Sequence, residues 1–426
     1  MHTETVLIFL GALKIVDEKF SDILRSSFFN IEETIKSIDW SKAPGFIETK
    51  SGFRKKYDLL MNGYISEFFC FPEVINEIPI WKASGKEDEW LTVEEYMEEF
   101  KQRTFIIEPI CLLFHHKRIY GRQVENFKNF WWSAYGFNPY EGGVHDMAQR
   151  LLKFKRKFKF DGKKWDRMFP HLQEVFNLKN KYLPDDPFKA WVTEHNVNSH
   201  VVFPNGDFVY KTWGNNSGSG STTMDNILGM AICLVHSYLR LTHGDMSIFD
   251  NNEKVFAFLF GDDVVGGDNL DYTDQEVERV VRETFGLYGI ELDPYQASEN
   301  LEDMDFLGFT FAQVRGYWIP VYNKSKLMHS FLYNLKRMEN DGEVSKILSL
   351  LIMSLGHGED FYTELSNIVK TILVNVDTEL SLLLRENNWS MFPTYDGLFH
   401  WYVGLEGQHS TVLSFLLERQ FIFGVG

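Results

Sequence analysis

Cysteine is scarce in this chain. There are three, Cys70, Cys111 and Cys233, with no paired spacing. That argues against a disulfide framework or a zinc site and fits a reducing compartment. Long apolar runs are missing as well, and no uninterrupted stretch reaches membrane-spanning length. No basic segment precedes Val6-Leu7-Ile8-Phe9-Leu10, so the start reads as a short strand rather than a signal peptide. Basic residues are in deficit: the formal net charge is -17, which argues against a simple cationic wrapper of nucleic acid. A Gly-rich run ending in Lys-Ser or Lys-Thr is also absent, which removes the common phosphate loop.

What is present is apolar and aromatic. Hydrophobic residues make up 44% of 426 and aromatics 16%, with 38 phenylalanines, enough for a substantial core. The length allows one large enzyme with subdomains. Charge is uneven, acidic at Glu87-Asp88-Glu89 and densely basic from Lys153 to Lys164, so a local basic channel stays open.

The most informative stretch runs from Val255 to Gly266. Six apolar residues lead into Gly261-Asp262-Asp263, and Val264-Val265 follow. The pattern predicts a buried strand, a tight turn and a returning strand. Adjacent carboxylates on a rigid edge repel, and a divalent cation such as Mg²⁺ relieves them. An ordinary Asp-rich hairpin turn reads the same way. Upstream, Lys157 to Phe160 alternates as a strand that ends at Asp161, with Asp166 about where the next element begins and Pro170 redirecting the chain. The plainer reading there is a basic edge strand and an Asp-capped helix.

Between these two stretches lies Trp213 to Thr223, a loop almost without bulk, feeding an apolar run from Met224 to Val235. A loop of hydroxyls and free amides at the start of a buried helix is suited to touching a substrate. Thr222 and Asn226 fall four apart, on one helical face. Residues 171–200 read as helices broken at Pro184 to Pro187, and 201–210 as a hairpin.

Nearer the start, Gly45 and the run to Lys55 and Lys56 offer either a phosphate seat or a solvated loop. Val93 to Phe100 reads as a short acidic helix. Lys101 and Arg103 share one face of the next strand, to hold a triphosphate or merely to solubilise the strand end. His115-His116 is expected at the surface, since neighbouring residues point apart and make a poor metal pair. Past the turn, 273–285 reads as a helix and 306–321 as a hairpin. The remainder is mostly helical, with Lys324 and Lys326 available to a nucleic-acid backbone or to water.

Taken together, these motifs resemble the RNA-dependent RNA polymerases of positive-strand RNA viruses, nearest in character to the picornavirus, potyvirus and astrovirus enzymes. Asp161 and Asp166 match the first palm motif. Ser217-Gly218, Thr222 and Asn226 match the second, and Gly261-Asp262-Asp263 the third. Phe306 to Phe309 resembles the turn near the primer end, and Gly45 to Lys56 the template-entry segment. Lys101 and Arg103 resemble the fingers motif over the incoming NTP. The family's usual lysine between the third motif and Phe306 is missing. Tyr295, Gln296, Arg103 or water would then assist the departing pyrophosphate, and charge stabilisation by Arg103 is the expected main contribution.

The resemblance implies an α+β right-hand polymerase: an antiparallel palm sheet packed on helices, fingers, and a mostly helical thumb. The implied bounds are 1–156 fingers, 157–170 palm, 171–211 fingers insertion, 212–310 palm and 311–426 thumb. It implies nucleotidyl transfer from NTP to an RNA 3'-hydroxyl by two Mg²⁺ ions, with Mn²⁺ as a substitute, held by Asp161, Asp262 and Asp263. NTP contacts would come from Lys101, Arg103, Asp166, Ser217, Thr222 and Asn226. RNA contacts would come from Gly45, Lys55, Lys56, Gly218, Lys324 and Lys326. Expected partners are template RNA, the nascent duplex, NTPs and other viral replicase proteins, in replication complexes of the host cytoplasm. A reverse transcriptase is the enzymatic rival, though its second motif lacks this glycine-serine loop. A catalytically inactive RNA-binding subunit is the other, though no metal carboxylate is missing.

Overall fold

The alternating apolar runs of the sequence become eleven strands in the described part of this computed structural model. They are β1 (Ile80–Gly85), β2 (Thr104–Ile107), β3 (Arg156–Asp161), β4 (Ser199–Val202), β5 (Phe208–Lys211), β6 (Val255–Phe260), β7 (Asp263–Asp268), β8 (Gln296–Ser298), β9 (Asp305–Phe306), β10 (Phe309–Val314) and β11 (Tyr317–Tyr322). The structure describes residues 3–63, 72–85, 104–128, 130, 132–292, 294–335, 341–386, 388–389 and 392–405. The expected acidic helix at Val93 to Phe100, and Lys101 and Arg103, lie outside them.

The strands form three sheets, ordered β2-β1-β4-β5, β6-β7-β3-β8 and β11-β10-β9. In the first, β1 runs antiparallel to β2 and parallel to β4, and β4 pairs antiparallel with β5 through Val201 and Val209. In the second, β3 and β8 are antiparallel, with Phe158 opposite Ala297. The fold class is α+β, with sheets packed against helices.

The chain divides into two compact units. One comprises Met1–Gly136, Phe160–Val264 and Leu270–Tyr295, and the other Phe137–Lys159, Val265–Asn269 and Gln296–Gly426. The centre of the first is helix Thr222–Leu241. Every residue from Met224 to Leu239 is buried, as expected of a helix apolar on all sides. It packs on helix Thr3–Leu24, on helix Asp274–Gly286 and on β6. Helix Asp274–Gly286, expected over 273–285, starts at a Thr273–Glu276 capping box and buries Val277, Val280 and Val281.

Two expectations are overturned in this unit. The segment Val6–Leu10 is helical, as part of Thr3–Leu24. Ala12, Val16, Phe20 and Leu24 are fully buried while Leu7 and Leu10 are exposed. The four-residue stripe lies beyond the five-residue window that suggested a strand. His115 and His116 are buried rather than superficial. They do point apart, but into two different internal contacts. His115 stacks on Phe188 at 3.8 Å, and His116 lies between Glu108 and Ser221.

The second unit is mostly helical around an aliphatic and aromatic core. Helices Asp341–Met353, Glu359–Leu373 and Tyr395–Tyr402 contribute Leu348, Leu351, Leu365, Val369, Phe399 and Trp401 to it. The β10–β11 hairpin brings Ile319. Among the described residues, no helix is long and apolar enough to cross a membrane.

Candidate active site

Three chain segments of the first unit bring acidic residues together. Asp161 is the last residue of β3, where alternation placed it. Asp166 lies in the single helical turn Trp165–Met168. Asp262 and Asp263 follow Gly261, whose φ of 64° makes the tight turn between β6 and β7. The Asp262 carboxyl is pushed up to about 7, first by the protein crowded around it and then by the charge of Asp161, with Asp166 adding to the effect. Solvent reaches the residue and screens part of this repulsion. The arrangement is a concentration of hard oxygen donors whose charges oppose one another. Among the described residues, no group of three or more His, Cys, Asp or Glu side chains is disposed as a metal cluster.

The low-bulk loop and the start of the buried helix pack against Asp166. Asn226 Nδ2 donates to Asp166 Oδ1 at 2.8 Å, and Asn215 Nδ2 donates to Asn226 Oδ1 at 2.9 Å. The Asn215 backbone N–H reaches the Asp166 carbonyl at 2.7 Å. One amide side chain is thus held at both ends, which fixes its flip. Lys211 Nζ donates to Asn216 at 2.7 Å. Burial pulls the Lys211 ammonium down to about 8, and Asp166 draws it partly back.

Ser217 and Gly218 face β2. Ser217 Oγ accepts from the Ile106 N–H at 3.2 Å, and Gly218 forms a bridge with Ile107. A Cβ at 218 would sit 2.2 Å from the Ile106 carbonyl oxygen, so only glycine fits. Thr222 begins the buried helix. Its hydroxyl donates to the Asn216 and Ser219 carbonyls, so it braces the loop. Thr222 and Asn226 share a helical face, yet they serve different partners.

The other expected contact residues are spread out. Gly45 precedes helix Phe46–Lys50 with φ 129°. Lys55 is exposed, but Lys56 is buried and its ammonium is lowered by that burial against the pull of Asp39 and Glu108. Lys324 and Lys326 are exposed on helix Lys324–Leu335, in the second unit. Tyr295 is buried and stacked on Phe160 at 6.0 Å. Gln296 donates to the Asp303 carbonyl at 2.9 Å.

Sequence reasoning passed over Asn215, Lys211 and a deeper set of buried groups. Lys179 and Asp225 are fully buried and joined at 2.6 Å. Burial lowers the Lys179 ammonium, and Asp225 then raises it. The available signal was Asp225 itself, a lone charge in an apolar helix, which demands a buried partner.

A viral RNA-dependent RNA polymerase family model matches residues 7–373 of the chain. The Nora virus replication polyprotein is 25% identical over 321 residues, 69% of this chain and 15% of that protein. The non-structural polyprotein 1AB of ovine astrovirus 1 is 26% identical over 238 residues, 51% of this chain and 17% of that protein. The genome polyprotein of peanut mottle virus is 23% identical over 282 residues, 62% of this chain and 9% of that protein. The chain therefore matches less than a fifth of the length of each of these relatives.

Proposed function

Since the chain belongs to the viral RNA-dependent RNA polymerase family, we propose that it synthesises RNA on an RNA template, adding NTPs to an RNA 3'-hydroxyl in replication of a viral genome. The observation that carries this reading is the gathering of Asp161, Asp166 and Asp262, with Asn226 bonded to Asp166. On this reading 1–156 are fingers, 157–170 palm, 171–211 a fingers insertion and 212–310 palm, and the mostly helical 311–426 is the thumb.

Asp161 and Asp262 would hold two Mg²⁺ ions, with Asp263 assisting and Mn²⁺ as a substitute. The raised Asp262 carboxyl supports this, because like charges held together favour a cation between them. A set of two or three carboxylates suits Mg²⁺, which completes its shell with water and substrate phosphate. The bound ions supply charge neutralisation at the attacking and leaving oxygens. Asp166 and Asn226 would meet the ribose 2'-hydroxyl, since their mutual bond leaves further acceptor and donor capacity on both. Ser217 and Gly218 keep the loop against β2, whose preceding residues Lys101 and Arg103 would meet the triphosphate. Arg103 would carry the charge of departing pyrophosphate, as Tyr295 is buried against Phe160. Gly45, Lys55, Lys56, Lys324 and Lys326 would follow RNA, with the exposed Lys55, Lys324 and Lys326 the better placed. Replicase proteins as partners and the host cytoplasm as location belong to the same proposal.

The test is incorporation of radiolabelled NTP on a homopolymeric RNA template, with and without Mg²⁺ and a primer. Mg²⁺-dependent product is expected. Incorporation of dNTPs alone would transfer the chain to reverse transcription, and RNA binding without product under any condition would make it a scaffold.

A further inference from the structure

Beneath the loop lies a buried polar network that the proposed chemistry does not use. Glu108 follows β2, and its Oε2 accepts from the Gly220 N–H at 2.7 Å while Oε1 lies 2.9 Å from His116 Nδ1. His116 Nε2 meets Ser221 Oγ at 2.7 Å. Ser221 Oγ also meets Asp225 Oδ2 at 2.7 Å and Lys179 Nζ at 3.1 Å. Lys179 closes the set on Asp225 and lies over the Phe176 ring at 3.7 Å. Lys117 Nζ holds the Gly220 carbonyl at 2.8 Å, and Ser219 Oγ donates to Asn196 Oδ1 at 3.0 Å.

Ser221, His116 and Glu108 follow the bonding order of a serine hydrolase triad. Each is no more than 2% exposed, so no substrate reaches the hydroxyl. Nucleophilic chemistry is thereby excluded, and what remains is mechanical. Three successive loop residues, Ser219, Gly220 and Ser221, are tied to three different helices and to the end of β2. The next five residues lead to Asn226. Buried polar groups that are fully paired select one conformation, because every alternative leaves a donor or acceptor unmet.

We propose that Glu108, His116, Ser221 and Lys179 are positioning residues that lock loop 214–222, and that this lock sets the Asn226–Asp166 pair for ribose selection. The sugar-selection part rests on the polymerase reading above; the locking of the loop does not. Severing the Lys179–Asp225 pair risks misfolding, since it strands a buried charge. Ser221→Ala removes only the shared hydroxyl and leaves that ion pair, and His116→Gln provides a second cut.

Two readouts separate the claims. Amide hydrogen exchange of 214–222 in the full chain is expected to accelerate at least about tenfold in both variants, with residues 230–240 of the following helix unchanged. The ratio of kcat/KM for ATP over 2'-dATP is expected to fall about threefold or more in the same preparations, with Ser221→Thr restoring part of it. Unchanged loop exchange overturns the lock whatever the activity. Faster exchange with an unchanged sugar ratio overturns its role in selection. A wild-type protein that incorporates no nucleotide defeats the polymerase reading and the selection role together, while the exchange data still decide the lock.

Discussion

The two units bury their charges in different places. The second builds its helical core from Leu348, Leu351, Leu365, Val369 and Trp401, and carries its buried ion pair, Arg156–Asp268 at 2.7 Å, between strands β3 and β7. The first also has a large apolar core but encloses Lys179, Asp225, Glu108 and His116 within it. Buried ion pairs contribute little net stability compared with apolar packing, and they select one conformation at the cost of desolvation. The difference teaches where each unit is sensitive. Damage to the second should appear as lost stability, and damage to the first as lost function or as pH dependence.

The sharpest test of that division is at the turn. Asp262→Asn, or Asp161→Asn, is expected to lower incorporation by at least about 10³-fold, through lost charge at the reacting phosphate. RNA affinity and the thermal midpoint should hold or rise, because the substitution removes one of two opposing charges. Extension assays and melting curves on one preparation check both, and near-normal extension by Asp262→Asn sinks the assignment.

Next in size is Leu351→Ala in the second unit. Leu351 is fully buried, so a cavity there is expected to cost about 2–5 kcal/mol in urea unfolding. Turnover per folded molecule should change far less than stability. A variant as stable as wild type would remove Leu351 from the core argument.

Acid should distinguish the units as well. His171 and His236 are buried in the first unit, and burial lowers each to about 4. The groups about them are Phe9, Tyr288, Glu174 and Arg240. A histidine near 6.5 when unfolded binds more protons there than when folded. Stability from this pair is therefore complete above about pH 6.5 and is lost as pH falls toward about 4, on the order of 1–3 kcal/mol for each. His236→Phe should flatten the pH profile of unfolding between 4 and 6.5. A slope that stays the same in the variant assigns the acid sensitivity elsewhere.

The smallest expected effect is at Asn226. Asn226→Ala deletes one bond to Asp166 and one to Asn215. The NTP over dNTP preference should fall by about 0.5–1.5 kcal/mol. Equal losses for both sugars would take Asn226 out of ribose recognition.

Much of this molecule was legible in the chain itself. The Val255 to Gly266 hairpin, the strand ending at Asp161, the buried helix after the low-bulk loop and the Thr273-capped helix all follow from periods of 2 or 3.6 residues and from caps. Those are local rules, and a local pattern is read within one or two turns of chain. The helical start at Val6–Leu10 escapes that reading because its buried stripe, Ala12 to Leu24, lies beyond those five residues, and because its burial comes from helix Thr222–Leu241, which lies far along the chain.

Residue type and order were enough to single out the aspartates and Asn226 as candidates. They did not determine which group each would touch. Asn226 could be placed beside Thr222 by helical geometry, but only the folded loop gives it to Asp166 and turns the Thr222 hydroxyl back to the Asn216 carbonyl. In the same way, nothing near His116 in sequence announces Ser221, 105 positions away, or near Lys179 announces Asp225. A buried charge dictates that a partner must exist, because desolvation without one costs several kcal/mol. Which partner it finds is settled by how distant helices pack, and that is a property of tertiary structure.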